Sequence, residues 1–225
     1  MQPYVVLAER LGSFVAQLSG SALEEVSLRY SGHIAEWKTD LIRNAALQGI
    51  LNQLLEERAN LVNANSIAAS RGLRIHEAHK SRSSTGGSGS VLSLLIRTAS
   101  GEHHAKGAVL HGHAPRLLAI DDIDIEAPLE RNLIYLRNRD VPGVIGKVGT
   151  ILGEHQINIA NFSLGREGAG TRTGSASSSE DAGPPKTESA RAVAVIHVDG
   201  PVPETVLASL REVPAIEEAR ALRLF

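Results

Sequence analysis

The sequence predicts an α+β protein of two domains, an α/β domain followed by a βαββαβ unit. Two observations carry this prediction. Apolar residues recur at helical spacing over much of the first 71 residues and then alternate in short runs typical of strands. From Asn132 onward the order is strand, helix, strand, strand, helix and strand, which is the split ferredoxin-like arrangement. We therefore place the domain boundary near residue 130, after Pro128.

The first half opens with an amphipathic helix over residues 4–18. Because the chain starts within this helix, we interpret residues 1–20 as a helix that connects to a preceding domain. Alternation of Val26, Leu28 and Tyr30 predicts the first strand. Two helices follow, at 39–57 and at 66–71, the second ended by Gly72. Further strands are expected at 73–79, 91–99, 103–113 and 116–127.

The second half carries the βαββαβ pattern. Its strands are predicted at 132–138, 157–164, 191–199 and 216–224, and its helices at 143–154 and 203–211. We expect residues 167–189 to form a disordered hairpin loop within the domain at 131–225, because this insert is rich in Gly, Ser, Thr and Pro and can bury little apolar surface.

Composition argues against several classes of protein. The net charge is −2 at pH 7 with both signs mixed along the chain, so we expect neither nucleic acid nor a membrane as partner. The absence of cysteine excludes disulfides, zinc thiolates and cysteine-held iron–sulfur clusters within this chain. Without a signal peptide or an apolar run long enough to span a bilayer, the expected location is cytoplasmic.

The sequence shows no catalytic constellation. We expect His103 and His104 in a hairpin turn, and His111 and His113 on one face of a strand. No carboxylate stands at diagnostic spacing from them, so we predict no metal site. The glycine-rich stretch at 83–90 lacks the Lys-Ser/Thr pair of a phosphate-binding loop. No GxGxxG joins a strand to a helix, so we predict neither catalytic residues nor a bound cofactor in this chain.

The most informative segment is RNRDVPGVIGKVGTILGEHQINIANFSLGR, residues 137–166. A strand ends at Asn138, and residues 140–143 turn sharply into a helix. Pro142 sets φ near a helical value and Gly143 allows close backbone approach. This corner is a candidate ligand site.

The corner offers groups of both charges. The free N–H groups of the first helical turn, around Val144 and Ile145, can hold a carboxylate. Asp140 can accept an ammonium group, and Asn158 at the start of the next strand offers an amide. The pattern thus suits an α-amino acid better than a simple anion. The alternative is structural: Asp140 initiates the turn and Asn158 bonds its own backbone.

This segment resembles the ACT domain, a regulatory βαββαβ module that binds amino acids where two domains pair. Its sequence is similar to that of the ACT domain at the C-terminus of bacterial D-3-phosphoglycerate dehydrogenases. The resemblance implies that L-serine is held at the turn and at the start of the second strand, by Asn138, Asp140 and Asn158. Asn138 stands where other members carry His or Tyr.

The upstream region resembles the allosteric substrate-binding, or intervening, domain of the same family, which we place at 21–130. The residues that carry this resemblance are YSGHIAEW, VNANSIAASRGLRIHEA and AVLHGHAPRLLAIDDIDIEAP. Asp122 departs from the family, which usually has Gly in a tight turn there. The resemblance implies that Arg116 binds a phosphorylated acid. An ion pair of Arg116 with Asp121 or Asp122 is the alternative.

The resemblance implies the regulatory part of an NAD-dependent enzyme of serine biosynthesis, without its catalytic domains. Serine would act by linkage on a homodimer or tetramer formed through both domains. Two other classes remain open: the regulatory region or subunit of an iron–sulfur L-serine dehydratase, and a free-standing sensor that acts in trans. A GxGxxG-encoding region upstream of the gene would favour the dehydrogenase, and a cysteine-rich neighbour would favour the dehydratase.

Overall fold

A computed structural model of the chain describes residues 1–20, 23–81, 89–168 and 190–225. The loop predicted at 167–189 lies outside these ranges except for its first two residues, and the loop at 83–90 except for its last two. No helix within the described ranges has the length and apolar character needed to cross a membrane.

The described residues form two β-sheets with helices against them. The helices are α1 (Gln2–Ser19), α2 (Asp40–Leu54), α3 (Ala64–Ser70), α4 (Val144–Glu154) and α5 (Glu204–Arg211), with a short 3₁₀ helix at Gly32–Glu36. The strands are β1 (Leu23–Ser31), β2 (Arg74–Lys80), β3 (Val91–Thr98), β4 (Gly101–Leu110), β5 (Ala114–Ile120), β6 (Ile123–Pro128), β7 (Asn132–Arg139), β8 (Ile159–Arg166), β9 (Arg191–Val198) and β10 (Ile216–Arg223).

The first sheet has six strands in the order β2-β1-β3-β4-β5-β6. β1 and β2 are parallel, because α2 and α3 connect them, and the other neighbours are antiparallel. The run predicted at 116–127 divides at Asp121, whose φ of 50° forms the turn expected beside Asp122. The predicted end of α3 is confirmed: Gly72 has φ of 71°, and its N–H and that of Leu73 donate back to the helix in a Schellman motif.

The β4–β5 hairpin corrects the predicted positions of the histidines. β4 ends at Leu110, and His111 and Gly112 form a tight turn with φ of 51° and 75°. His111 and His113 therefore flank a turn instead of sharing a strand face. His103 lies within β4 rather than in a turn, as does His104. Sequence alternation continues through the turn, so it could not mark the reversal of the chain.

α1 and α2 cross at two glycines on the same side of the six-stranded sheet. A Cβ added to Gly12 would clash with the carbonyl oxygen of Ala46, and one added to Gly49 would clash with the carbonyl oxygen of Glu9. Each helix therefore requires glycine at the crossing, because any larger side chain would clash with the backbone of the other helix. Gln48 Nε2 also donates to Glu9 Oε1 across the crossing, at 2.7 Å.

The second sheet has the order β10-β7-β9-β8 with antiparallel neighbours throughout, which confirms the ferredoxin-like prediction. α4 and α5 cover one face. Their buried side chains, Val144, Val148 and Leu152 from α4 and Val206, Leu207 and Leu210 from α5, share a core with the sheet.

The opposite face of this sheet packs on the first domain. Buried side chains from β7, β9 and β10 belong to the same apolar core as α1, and Phe14 meets Tyr135 edge-on with ring centroids 6.5 Å apart. β6 crosses behind β8, where Ser163 Oγ donates to the carbonyl oxygen of Glu126 at 2.6 Å. A Cβ on Gly165 would clash with the carbonyl oxygen of Asp124. The two domains therefore share a continuous core.

The outer strand β10 is bonded to the end of α1. The amide of Gln17 pairs with the backbone of Arg223 through two hydrogen bonds, with Oε1 accepting at 3.0 Å and Nε2 donating at 3.2 Å. Arg220 Nη1 donates to the last carbonyls of the helix, at Gln17 and Leu18. A cation at a helix C-terminus is stabilised by the helix dipole.

Candidate functional site

A cavity of about 480 Å³ opens at the corner between β7 and α4. It lies between the first turn of α4 and the edge strand β8, on the helical face of the sheet. Its lining is mostly apolar with a polar end, formed by Leu136, Asn138, Asp140, Val141, Pro142, Gly143, Val144, Ile145, Val148, Phe162, Leu164, Arg166 and Ala194. Such a mixture of apolar walls and a few polar groups is typical of small-ligand sites.

The backbone of the corner is held by local hydrogen bonds. The N–H of Val141 donates to the carbonyl of Arg139 at 2.9 Å, which closes a three-residue turn around Asp140. Gly143 is the N-cap of α4 with φ of 89°, a left-handed conformation that favours glycine. Nothing lies within 4 Å of a Cβ at this position. Glycine is therefore favoured here by the backbone conformation, and not by a close contact with another part of the chain.

The first turn of α4 directs free donors toward this end of the sheet. The first helical hydrogen bond runs from the N–H of Lys147 to the carbonyl of Gly143, at 3.0 Å. The N–H groups of Val144 and Ile145 consequently have no acceptor within the helix. Both residues line the cavity, and binding of an anion by their N–H groups stays a prediction.

Asp140 faces a cation that the sequence analysis did not identify. Arg166, the last residue of β8, places its Nε 3.2 Å from Asp140 Oδ2. The two meet because β7 and β8 are both antiparallel to β9, so that they run in the same direction and end at the same edge of the sheet. The arginine follows a strand that sequence patterning predicts, but the order of the strands was needed to bring it to the corner.

The other two residues predicted for the amino-acid site, Asn138 and Asn158, lie at opposite ends of the sheet. Asn138 lines the cavity although its side chain is buried, and its Nδ2 donates to the carbonyl of Arg139 at 2.8 Å. Asn158 precedes β8 and so lies at the other end of the sheet, roughly 25 Å along the strand from Arg166. There its Nδ2 donates to Asp199 Oδ2 at 2.6 Å. One chain therefore brings together four of the five predicted residues.

Arg116 lies in β5 of the first sheet, half-buried and in register with Ala108 of β4. Lys106, two residues earlier on β4, faces the same side and lines a shallow groove of about 460 Å³ on the open face of the sheet. Asp121, one of the two partners considered for Arg116, bonds a histidine instead. A role for Arg116 in binding an anion stays a prediction.

His103 and His104 contact one carboxylate. Asp121 Oδ2 lies 3.2 Å from His103 Nδ1, and its Oδ1 accepts the backbone N–H of His104 at 3.0 Å. Burial raises the pKa of Asp121, but these hydrogen bonds and the charges of His103 and His104 together outweigh it and leave the pKa below its usual value. The described residues contain no group of three or more His, Cys, Asp or Glu side chains placed to hold a metal ion.

The ACT domain family model matches residues 133–215, the ferredoxin-like unit whose first strand–helix corner holds the cavity. The chain therefore contains a regulatory region of the ACT class. The family model of the D-3-phosphoglycerate dehydrogenase intervening domain matches residues 1–121. The chain therefore belongs to the D-3-phosphoglycerate dehydrogenase family, with the intervening domain followed by the ACT domain.

The match over 1–121 includes α1, which we interpreted as a connecting helix. In the structure α1 packs against α2 and the six-stranded sheet and is buried all round over residues 11–16, so it is part of the core of the intervening domain. Whether it also connects to a preceding domain stays a prediction.

Curated relatives carry the name D-3-phosphoglycerate dehydrogenase. Those of Synechocystis sp. and Methanocaldococcus jannaschii are 33% and 30% identical to this chain, which is covered in full. The relative from Bacillus subtilis is 31% identical over 76% of this chain. These alignments cover 37%, 38% and 32% of the relatives, so the chain spans about a third of their length.

Proposed function

We propose that this chain senses a small amino acid at the cavity between β7 and α4, and that L-serine is the first candidate for this ligand. The observation that carries the proposal is the placement of Asp140 and the free N–H groups of α4 in one cavity. The ammonium group of the ligand bonds Asp140, and its carboxylate meets the N–H groups of Val144 and Ile145. Asn138, buried beside them, offers a further polar group.

The proposed site is completed by a second copy of the chain. Within the described residues, the outer edge of β8 pairs with no strand, and the cavity runs along this edge. If two β8 strands pair antiparallel about a two-fold axis, the start of one lies beside the end of the other. Asn158 of each copy then reaches the cavity of its partner. This arrangement explains why Asn158 lies far from Asp140 within one chain.

The exposed apolar side chains at the mouth of the cavity support the same arrangement. Ile145 is 51% exposed and Val141 is 37% exposed, and both border the cavity next to β8. A second copy would remove this surface from water. Serine that binds the paired form better than the separated form would then shift the equilibrium and transmit its effect to attached domains.

L-Serine is expected to raise the melting temperature of the protein. A ligand that binds only the folded state stabilises it by about 2.7 kcal/mol when its concentration is about 100 times Kd. The measurement is a thermal shift at increasing serine concentrations, with Asp140→Ala compared at each one. The variant should fold and show no shift. A serine shift of the same size in Asp140→Ala would remove Asp140 from the site.

Mixed dimers are expected to recover the binding that each parent variant has lost. A dimer of one Asp140→Ala chain and one Asn158→Ala chain contains one intact site, because each site takes Asp140 from one copy and Asn158 from the other. The two variants, carrying different tags, are refolded together, and the mixed dimers are purified and titrated calorimetrically with serine. Recovery only in mixed dimers supports the shared site. No recovery, with binding retained by the Asn158→Ala homodimer, would place the whole site within one chain.

A further inference from the structure

We infer that Arg166 is a specificity-determining residue of the amino-acid site, and that its ion pair with Asp140 occupies the site until a zwitterion replaces it. This inference rests on the proposed function. It concerns which ligands are accepted and which side chain distinguishes them. The Asp140–Arg166 juxtaposition at the polar end of the cavity is the observation behind it.

The charges of the cavity are balanced internally. Among its described lining residues, Asp140 and Arg166 carry the formal charges, and their Oδ2 and Nε atoms are 3.2 Å apart. The Arg166 side chain is 57% exposed and the Asp140 side chain 28%. An exposed ion pair of this kind is weak in water, because solvent and salt screen it and two side chains must be held in place. It can therefore be exchanged at little cost.

A zwitterion provides an opposite charge for each member of this pair. Its ammonium group takes the place of the guanidinium at Asp140, and the released guanidinium turns to the carboxylate, which also faces the N–H groups of α4. Every charge present before binding has a partner afterwards. Arg166 reaches both positions because its side chain is long and its strand ends at the rim of the cavity.

A ligand with only one charge leaves a member of the pair without a partner. An amine that displaced Arg166 would leave the guanidinium unpaired when a second copy closed over the site. An acid would compete with Asp140 for Arg166 and leave that carboxylate unpaired. Unpaired charges become costly as water is excluded, so both single-charge ligands are rejected. The rejection of amines depends on Arg166, and the rejection of acids depends on Asp140.

The test compares three ligands of similar size on the dimeric protein. L-Serine carries both charges, ethanolamine lacks the carboxylate, and L-glycerate lacks the ammonium group. Calorimetry gives the Kd of each for the natural sequence, Arg166→Gln and Arg166→Lys. The matched control is Arg191→Gln, which removes one exposed arginine from the same end of the sheet outside the cavity lining.

The natural sequence should prefer serine strongly to both other ligands. In Arg166→Gln the preference for serine over ethanolamine should fall about tenfold, the effect of one lost charge-assisted interaction. Arg166→Lys should keep part of the preference, and Arg191→Gln should keep all of it. Because Arg166 is largely exposed, its variants should retain the melting temperature of the natural sequence to within a few degrees.

The outcomes separate the two proposals. If serine binds the natural sequence and Arg166→Gln weakens serine and ethanolamine by the same factor, Arg166 is only a structural partner of Asp140 and the inference is overturned, while the proposed function stands. If the natural sequence binds none of the three ligands, both proposals fail. A changed ratio of the two Kd values is a result that general loosening of the corner cannot produce.

Discussion

Replacing Gly49 with alanine is expected to lower the free energy of unfolding by about 3 kcal/mol, the upper part of the range for overpacked cores. The added methyl group would clash with the carbonyl oxygen of Glu9 and lie 2.9 Å from the backbone nitrogen of Ser13. These are backbone atoms of α1, so no side-chain rotation can relieve the contact. The two helices must separate, and the apolar core beneath them loses its packing.

The measurement is urea unfolding followed by far-UV circular dichroism, with Gly146→Ala as the matched control. Gly146 lies on the side of α4 that faces away from the sheet, and nothing lies within 4 Å of a Cβ there. Alanine at this position should stabilise the helix by about 0.5 kcal/mol, because it is the better helix former. Equal effects of the two substitutions would show that α1 and α2 do not cross as closely as described.

Gly165→Val is expected to separate the ACT domain from the intervening domain. Its Cβ would clash with the carbonyl oxygen of Asp124 and lie 2.7 Å from Ile123 Cγ2. β8 is held in its own sheet by β9, so the contact is relieved most easily by movement of β8 away from β6. The shared core would then be opened to water, with a loss of about 2–3 kcal/mol.

Trp37, the single tryptophan of the chain, reports on the intervening domain alone. It packs edge-on against Tyr4, with ring centroids 5.6 Å apart. In the natural sequence, tryptophan fluorescence and circular dichroism should show one coincident transition, because the domains share a core. In Gly165→Val the circular dichroism should show an earlier transition that Trp37 does not follow. Ala160→Val, an exposed substitution on the same strand, should leave the two signals coincident. Coincident transitions in Gly165→Val would show that β6 and β8 do not hold the two domains together as closely as Gly165 requires.

Sequence patterning predicts the elements of this fold better than their contacts. The ferredoxin-like order follows from the short apolar runs of β7 and β9 and from the helical spacing of Val144, Val148 and Leu152, since both signals are local. The choice of β1 as the neighbour of β2 is not local, and sequence patterning did not indicate which strands would lie side by side. Gly12 and Gly49 did carry a signal, because a glycine within a helix is costly unless a close approach requires it.

In the candidate site, too, contacts between residues close in sequence could be predicted, whereas contacts between distant residues could not. Asp140 and the first turn of α4 are neighbours in sequence, so their proximity could be predicted. Arg166 is 26 positions from Asp140 and meets it only through the order of the strands in the sheet. Asn158 is nearer in sequence but lies at the far end, because β8 carries the chain across the whole sheet. Adjacency in sequence is thus a poor guide once a strand intervenes.

The two hydrogen bonds between Gln17 and Arg223 bear on how copies of this chain can assemble. Copies of a four-stranded sheet with two open edges can join edge to edge without limit, because β8 of each copy can pair with β10 of the next. Here a side chain already satisfies the backbone of β10 at Arg223, and α1 obstructs the approach to that edge. Only the β8 edge of this sheet is then available for pairing with another copy. Because symmetric pairing of two β8 strands uses that edge in both copies, strand pairing would give a closed dimer and not a fibre.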